Sequence, residues 1–262
     1  YDRAPESWLF HLDADEFLAT SRQIADQLAA VSEAIDWVVV GVAERVYLAP
    51  PDHVNIFDGV FRRPFPAADI ERLKPIDGRL ERFLYRGLAG YDSEKPAYRT
   101  GRGLQVGLHW PLNGDRSRHQ PLAETLLLHF DGLTPRHWIE KKIRTLQQRG
   151  GWATTHRRRV RFQFIAADAL RNRPERAEAL YLAIRQLLPE RASALQAQGL
   201  LSTQPMDPRQ ALARYFPGEE VDLSMARFDA QQMPYLRQKM PLHQRMRQRS
   251  SAWWHRLLWG LD

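Results

Sequence analysis

Cysteine is missing from all 262 residues. Its absence excludes disulfides, thiolate-bound zinc, iron–sulfur clusters and thiol nucleophiles, and it fits a reducing compartment. Long apolar runs are missing too. Nothing approaches the ~18 consecutive apolar residues of a membrane-spanning helix, and no basic start, apolar middle and small-residue cleavage site marks a signal peptide. The chain has no internal repeat and no low-complexity tract. Acid is scarcer than base. The 31 Asp and Glu face 38 Lys and Arg, for a formal charge of +7, so an anionic partner is expected: nucleic acid, a phosphorylated substrate or a membrane surface. The rest of the composition, 44% hydrophobic and 26% charged, is that of a globular protein with room for one large α/β domain or two small ones.

Trp8 to Leu12 is short and apolar and reads as a buried strand that stops at an acidic run. Thr20 with Gln23 has a capping-box pattern. Ile24, Leu28, Val31 and Ile35 follow at helical spacing. Trp37 to Val42 is continuous and β-branched, as in a fully buried strand. Strand, acidic turn, helix and strand make an α/β unit. Residues 50–103 are rich in Pro, Gly and charge and predict irregular structure with short elements. Gln105–His109 and Thr125–Phe130 read as two more strands, each closing on a histidine. Thr134-Pro135 starts a helix, with Thr as N-cap and Pro at the first helical position, and Gly150-Gly151 ends it. Beyond about residue 165 the texture becomes helical, with an amphipathic stretch from Glu175 to Leu188 and a short helix opened by Asp207-Pro208. The expected division is an α/β part over residues 1–165 and a mostly helical, basic extension over 166–262.

The strongest chemical signal is His11-Leu12-Asp13-Ala14-Asp15-Glu16-Phe17-Leu18. Side chains two apart in an extended segment point the same way. Asp13 and Asp15 can therefore face one ion at the carboxyl end of a strand, where α/β sheets carry their sites. Hard oxygen ligands suit Mg²⁺ or Mn²⁺, and such an ion neutralises a diphosphate leaving group. The plainer reading is an acidic turn that caps a helix. The segment is not an EF-hand loop, because the required glycine and the spacing to a final Glu are absent.

This segment resembles the metal-binding stretch of bacterial family 2-like glycosyltransferases with a GT-A fold. Further matches follow in order over residues 1–150: Gly41-Val42-Ala43-Glu44-Arg45, Asp58-Gly59-Val60-Phe61-Arg62, Lys95 with Arg99 and Gly101, Gly107-Leu108-His109-Trp110-Pro111, and Leu127-Leu128-His129-Phe130 followed by Lys141. The resemblance implies a partial GT-A-like mixed sheet with flanking helices. It also implies transfer of a sugar from a nucleotide-sugar donor to a glycan or lipid-linked acceptor. Asp15 would bind the metal, Asp13 the metal or the ribose, and His109 or His129 would complete the metal shell, His109 being ranked first. Family members carry a nucleotide-binding half before the acidic segment. Only Tyr1 to Ser7 precede it here, so the chain is expected to be the later portion of a longer enzyme.

An inverting transferase needs a carboxylate base. Glu81 is the first candidate, with Asp92 and Glu94 as rivals. Lys95, Arg99 and Arg102 lie between the acids and His109 and can hold phosphate oxygens, Arg bidentately and Lys as a point charge; each is equally a surface cation. The run His156 to Arg161 suits acidic lipid or a phosphorylated acceptor, or is a solvated face. The tail Trp253 to Trp259, beside Arg245, Arg247 and Arg249, suits a membrane interface or packs back on the domain. The expected setting is cytoplasmic, peripheral to the inner membrane, with no nucleic acid partner. Two other functions compete. A metal-dependent phosphoryl-transfer enzyme or nuclease would need more carboxylates than Asp13, Asp15 and Glu16 supply. A non-catalytic basic binding module would leave the acidic run without a purpose.

Overall fold

The computed structural model describes residues 5–51, 55–148, 158–170, 172–202 and 206–231. Its centre is β3 (Trp37–Val46), ten residues with almost every side chain buried. The β-branched run explains why: Val38, Val40 and Val42 face one layer of the core, Trp37 and Val39 the other. One edge of β3 pairs in parallel with β6 (His119–His129). The opposite edge pairs antiparallel with two strands in succession, β5 (Lys95–Arg99) along residues 37–40 and β4 (Val60–Arg62) along 44–46. Outside these lie β1 (Trp8–Phe10) on β5, β7 (Leu201–Ser202) on β4, and β2 (Glu16–Thr20) on β6. The result is an α/β fold with a mixed seven-stranded sheet.

Helices cover this sheet. They are α1 (Ile24–Ala29), α2 (Ile70–Leu73), α3 (Pro135–Gln148), α4 (Arg158–Leu170), α5 (Pro174–Arg185), α6 (Pro189–Ala197), α7 (Arg209–Tyr215) and α8 (Met225–Gln231). The start of α3 follows its sequence signal: Thr134 Oγ1 accepts the His137 N–H at 3.0 Å, and Pro135 sits at the first helical position. Residue 165 lies inside α4. Trp138 of α3, Ala166 and Ala167 of α4 and Tyr181 of α5 share one buried cluster with Tyr47, just past β3. Among the described residues no helix is long and apolar enough to cross a membrane.

Three local expectations are corrected. Residues 16–20 form β2 before the helix begins, because the long β6 offers them an edge, and α1 is only six residues. Thr20 and Gln23 form no capping box. Gln23 is the N-cap without a side-chain bond, and Thr20 Oγ1 instead accepts from Gln27 Nε2 at 2.6 Å. Gln105–His109 is not a strand but a closed loop. The Leu112 N–H bonds Gln105 O at 2.9 Å, the Tyr98 hydroxyl donates to Gly107 O at 2.7 Å, and a Cβ at Gly107 would strike the Trp110 carbonyl. Side chains in and around this loop remain exposed, Leu112 most of all. Gly150-Gly151, His156 and Arg157 and the whole Trp/Arg tail lie outside the described residues, and the rest of the basic run, 158–161, opens α4.

Candidate functional site

Register builds the site. Glu16 on β2, His129 on β6 and Glu44 on β3 are direct cross-strand partners, so their side chains line up on one face of the sheet. All three are buried. The turn between β1 and β2 delivers the acidic run to the edge of this row. It closes through the Glu16 N–H to Asp13 O bond at 3.1 Å. That turn breaks the extended geometry in which Asp13 and Asp15 would point the same way. Asp13 faces Lys95, whose ammonium lies 2.9 Å from Asp13 Oδ2 and 3.0 Å from Glu16 Oε2. Asp15 faces Lys141 at 2.6 Å and His129 Nε2 at 3.7 Å.

Asp131, two residues beyond His129, is the ligand candidate that the sequence reading left out. Asp15, His129 and Asp131 offer donor atoms that all lie within 4.8 Å of one another. Asp131 also contacts three cations, Lys141 at 2.9 Å, Lys142 at 3.0 Å and Arg185 at 3.0 Å. Burial opposes its ionisation, yet these cations hold its carboxyl well below the usual range. Arg185, 2% exposed, joins Asp131 to Glu44 Oε1 at 3.0 Å. Glu44 in turn accepts the backbone N–H groups of Ala89 and Gly90, at 2.6 and 2.5 Å. Gly90 must be glycine for space: a Cβ there would meet Glu44 Oε1 and the His129 ring at under 3 Å.

Like Glu16, Tyr91 and Arg185, His129 has a buried atom that the surroundings leave unsatisfied. Its Nδ1 is buried without a hydrogen-bond partner, the nearest carboxylate oxygen being Glu44 Oε1 at 3.9 Å. Burial lowers its pKa, so the imidazole stays neutral and keeps lone-pair capacity. Tyr91 lies against its ring, with centroids 4.6 Å apart, and His109 lies 5.4 Å beyond Tyr91. His109 is therefore linked to the site through a ring contact but is not among the three clustered donors. The remaining sequence candidates fall elsewhere. Glu81 is exposed and pairs with Lys74 at 3.2 Å. Arg99 sits at the other end of β5 from Lys95, about 13 Å along the strand. There it bonds the carbonyls of Val31, Ser32 and Ile35 and the carboxylate of Glu33. Arg102 bonds Glu33 as well.

A cleft of about 740 Å³ lies along β3 on the face that carries Trp37, Val39 and Gly41, the other face from Glu44, and Asp15, His129 and Asp131 are not among its lining residues. Arg63, Arg86, Asp92, Glu94, His109 and Trp110 are among its lining residues. Gly41 lies in its lining, and a Cβ there would meet nothing within 4 Å. The volume suits a sugar-sized ligand.

His137, at the start of α3, gives a pH test of this region. Its Nδ1 accepts the Leu133 N–H at 3.1 Å, which only the unprotonated nitrogen can do. Burial, then the charge of Lys141, lowers its pKa to about 4. The folded state thus resists a proton that the unfolded chain takes up near pH 6.5. The associated stability is complete above about pH 6.5, and it is lost as pH falls toward about 4. Allowing for partial screening, the loss is on the order of 2 kcal/mol. Urea unfolding at pH 7 and pH 4.5 should show it. His137→Asn, which keeps an acceptor but does not titrate, should flatten the dependence, and an unchanged slope would remove His137 from it.

No family model, no curated protein and no solved structure matches the chain.

Proposed function

We propose that the chain is a GT-A-type, metal-dependent glycosyltransferase that moves a sugar from a nucleotide-sugar to a glycan or lipid-linked acceptor. The observation that carries this reading is the grouping of Asp15, His129 and Asp131 at the ends of the acidic turn and β6. Two carboxylate oxygens and a neutral imidazole suit Mn²⁺, and Mg²⁺ less well. His129 Nε2, which faces Asp15 at 3.7 Å, is the nitrogen that would ligate. When bound, the ion would neutralise the diphosphate leaving group. Lys95, held by Asp13 and Glu16, adds positive charge at the acidic turn. The proposal gives the sugar and the acceptor hydroxyl to the cleft that His109 lines, His109 being joined to His129 through the Tyr91 ring.

Of the three carboxylates weighed as base, Asp92 and Glu94 line the cleft. Asp92 is engaged by Arg86 at 2.9 Å. The proposal therefore assigns Glu94 the acceptor proton. Glu94→Gln should lower turnover about 100-fold or more while nucleoside diphosphate binding stays unchanged. Release of nucleoside diphosphate in the presence of acceptor reads it out. Full activity in that variant would remove the base assignment.

Phosphoryl transfer fits less well. A second ion would have to be held by Asp13, Glu16 or Glu44. Lys95 bridges the first two, and Arg185 with two backbone N–H groups engages Glu44.

A further inference from the structure

We propose that Lys141 is the resident cation of the metal site, and that a divalent ion enters only by displacing its ammonium from between Asp15 and Asp131. This rests on the metal reading above and adds to it a residue that opposes the ion. One ammonium contacts both carboxylates, at 2.6 Å and 2.9 Å. Those oxygens belong to the two acidic members of the donor trio. A metal held by both and by His129 would need the space the ammonium fills, because ligand bonds of 2.0–2.2 Å bring oxygens from opposite sides onto one centre.

The two carboxylates are not equal. Asp131 keeps Lys142 and Arg185 if Lys141 leaves. Among the described residues Asp15 has Lys141 as its one lysine or arginine partner, with His129 at 3.7 Å. Moving Lys141 away therefore leaves Asp15 uncompensated unless another cation arrives. The surroundings are balanced to make that matter. Five carboxylates (Asp13, Asp15, Glu16, Glu44 and Asp131) face four cations (Lys95, Lys141, Lys142 and Arg185). Taking one cation out and putting a divalent ion in balances these five carboxylates against three cations and the ion. Lys141 has the freedom to go. Its side chain is 29% exposed, against 12% for Lys142 and 2% for Arg185. The displaced ammonium stays within a side chain's length of the site, where an incoming diphosphate can take it up.

The consequence is a site whose metal affinity is held down until substrate phosphate rewards the exchange. Lys141→Met, which keeps the length and loses the charge, tests it with Mn²⁺ alone as the probe. Calorimetric titration should give at least tenfold tighter Mn²⁺ binding by the variant than by the unaltered protein. Thermal melting supplies the second readout. In EDTA the variant should melt below the unaltered protein, because Asp15 has lost its partner. Mn²⁺ should restore the variant while barely moving the unaltered protein. A lysine that only braces the fold would give destabilisation that Mn²⁺ does not rescue, and that result overturns the inference. Equal Mn²⁺ affinity in both proteins overturns it as well but leaves the metal site standing. Absence of Mn²⁺ binding in both overturns the inference and the metal reading together.

Discussion

Replacing Asp15 by asparagine should abolish Mn²⁺-dependent binding of a nucleoside diphosphate to the full chain. Asp15 is the donor of the trio whose place depends on the acidic turn, and its carboxylate also holds Lys141. Loss of an outer partner of a metal ligand already costs about 10–100-fold in affinity, so loss of a ligand itself should cost about 100-fold or more. The fold should survive. Asp15 lies at the edge of the buried row, its side chain is 18% exposed, and asparagine keeps its shape. Asp13→Asn is the informative partner. Asp13 faces Lys95 rather than the trio, so its loss should weaken binding far less. If both variants bind like the unaltered protein, the metal does not sit at the acidic turn.

The largest effect on stability should come from Arg185→Met. This guanidinium is fully enclosed and joins Glu44 to Asp131, each at 3.0 Å, and it also donates to the carbonyls of Arg45 and Asp131. A neutral side chain leaves two buried carboxylates without it. Breaking a buried pair from one side costs about 3–5 kcal/mol. The substitution should therefore lower the urea midpoint sharply. The double variant with Glu44→Gln should lose less than the sum of the single losses, because the groups act as one network. Additive losses, or a single loss under about 1 kcal/mol, would mean that the network contributes no more than a surface pair. Arg209, exposed and paired among the described residues with Asp207, is the control, and Arg209→Met should leave the midpoint in place.

The parts of this fold that could be read from the sequence are those whose signal is local. Trp8–Phe10, Trp37–Val42 and the end of β6 are continuous apolar runs, and Thr134-Pro135 carries its own cap and helical start. β2, β4 and β7 are short and owe their existence to partners far along the chain. Glu16 pairs with His129, and Phe61 with Ser202, and no window of neighbours records such a pairing. The site divides in the same way. The acidic run and His129 stand out because chemistry and strand ends coincide there. Asp131 was within reach of the same reasoning, since His129-Phe130-Asp131 repeats the two-residue spacing applied to Asp13 and Asp15. Glu44, Tyr91 and Arg185 were not, because only the register of β2, β6 and β3 and the docking of α5 bring them to His129. Arg99 shows the converse. Its place in an ordered set of matches pointed to phosphate, while Glu33 and three backbone carbonyls take up its donors.

The most direct measurement is calorimetric titration of a panel of nucleoside diphosphates into the full-length protein, with Mn²⁺ and again with EDTA. A metal-dependent nucleotide-sugar transferase should bind at least one base in preference to the others, and only when Mn²⁺ is present. Binding that EDTA leaves unchanged, or no binding of any member of the panel, would contradict the proposed function.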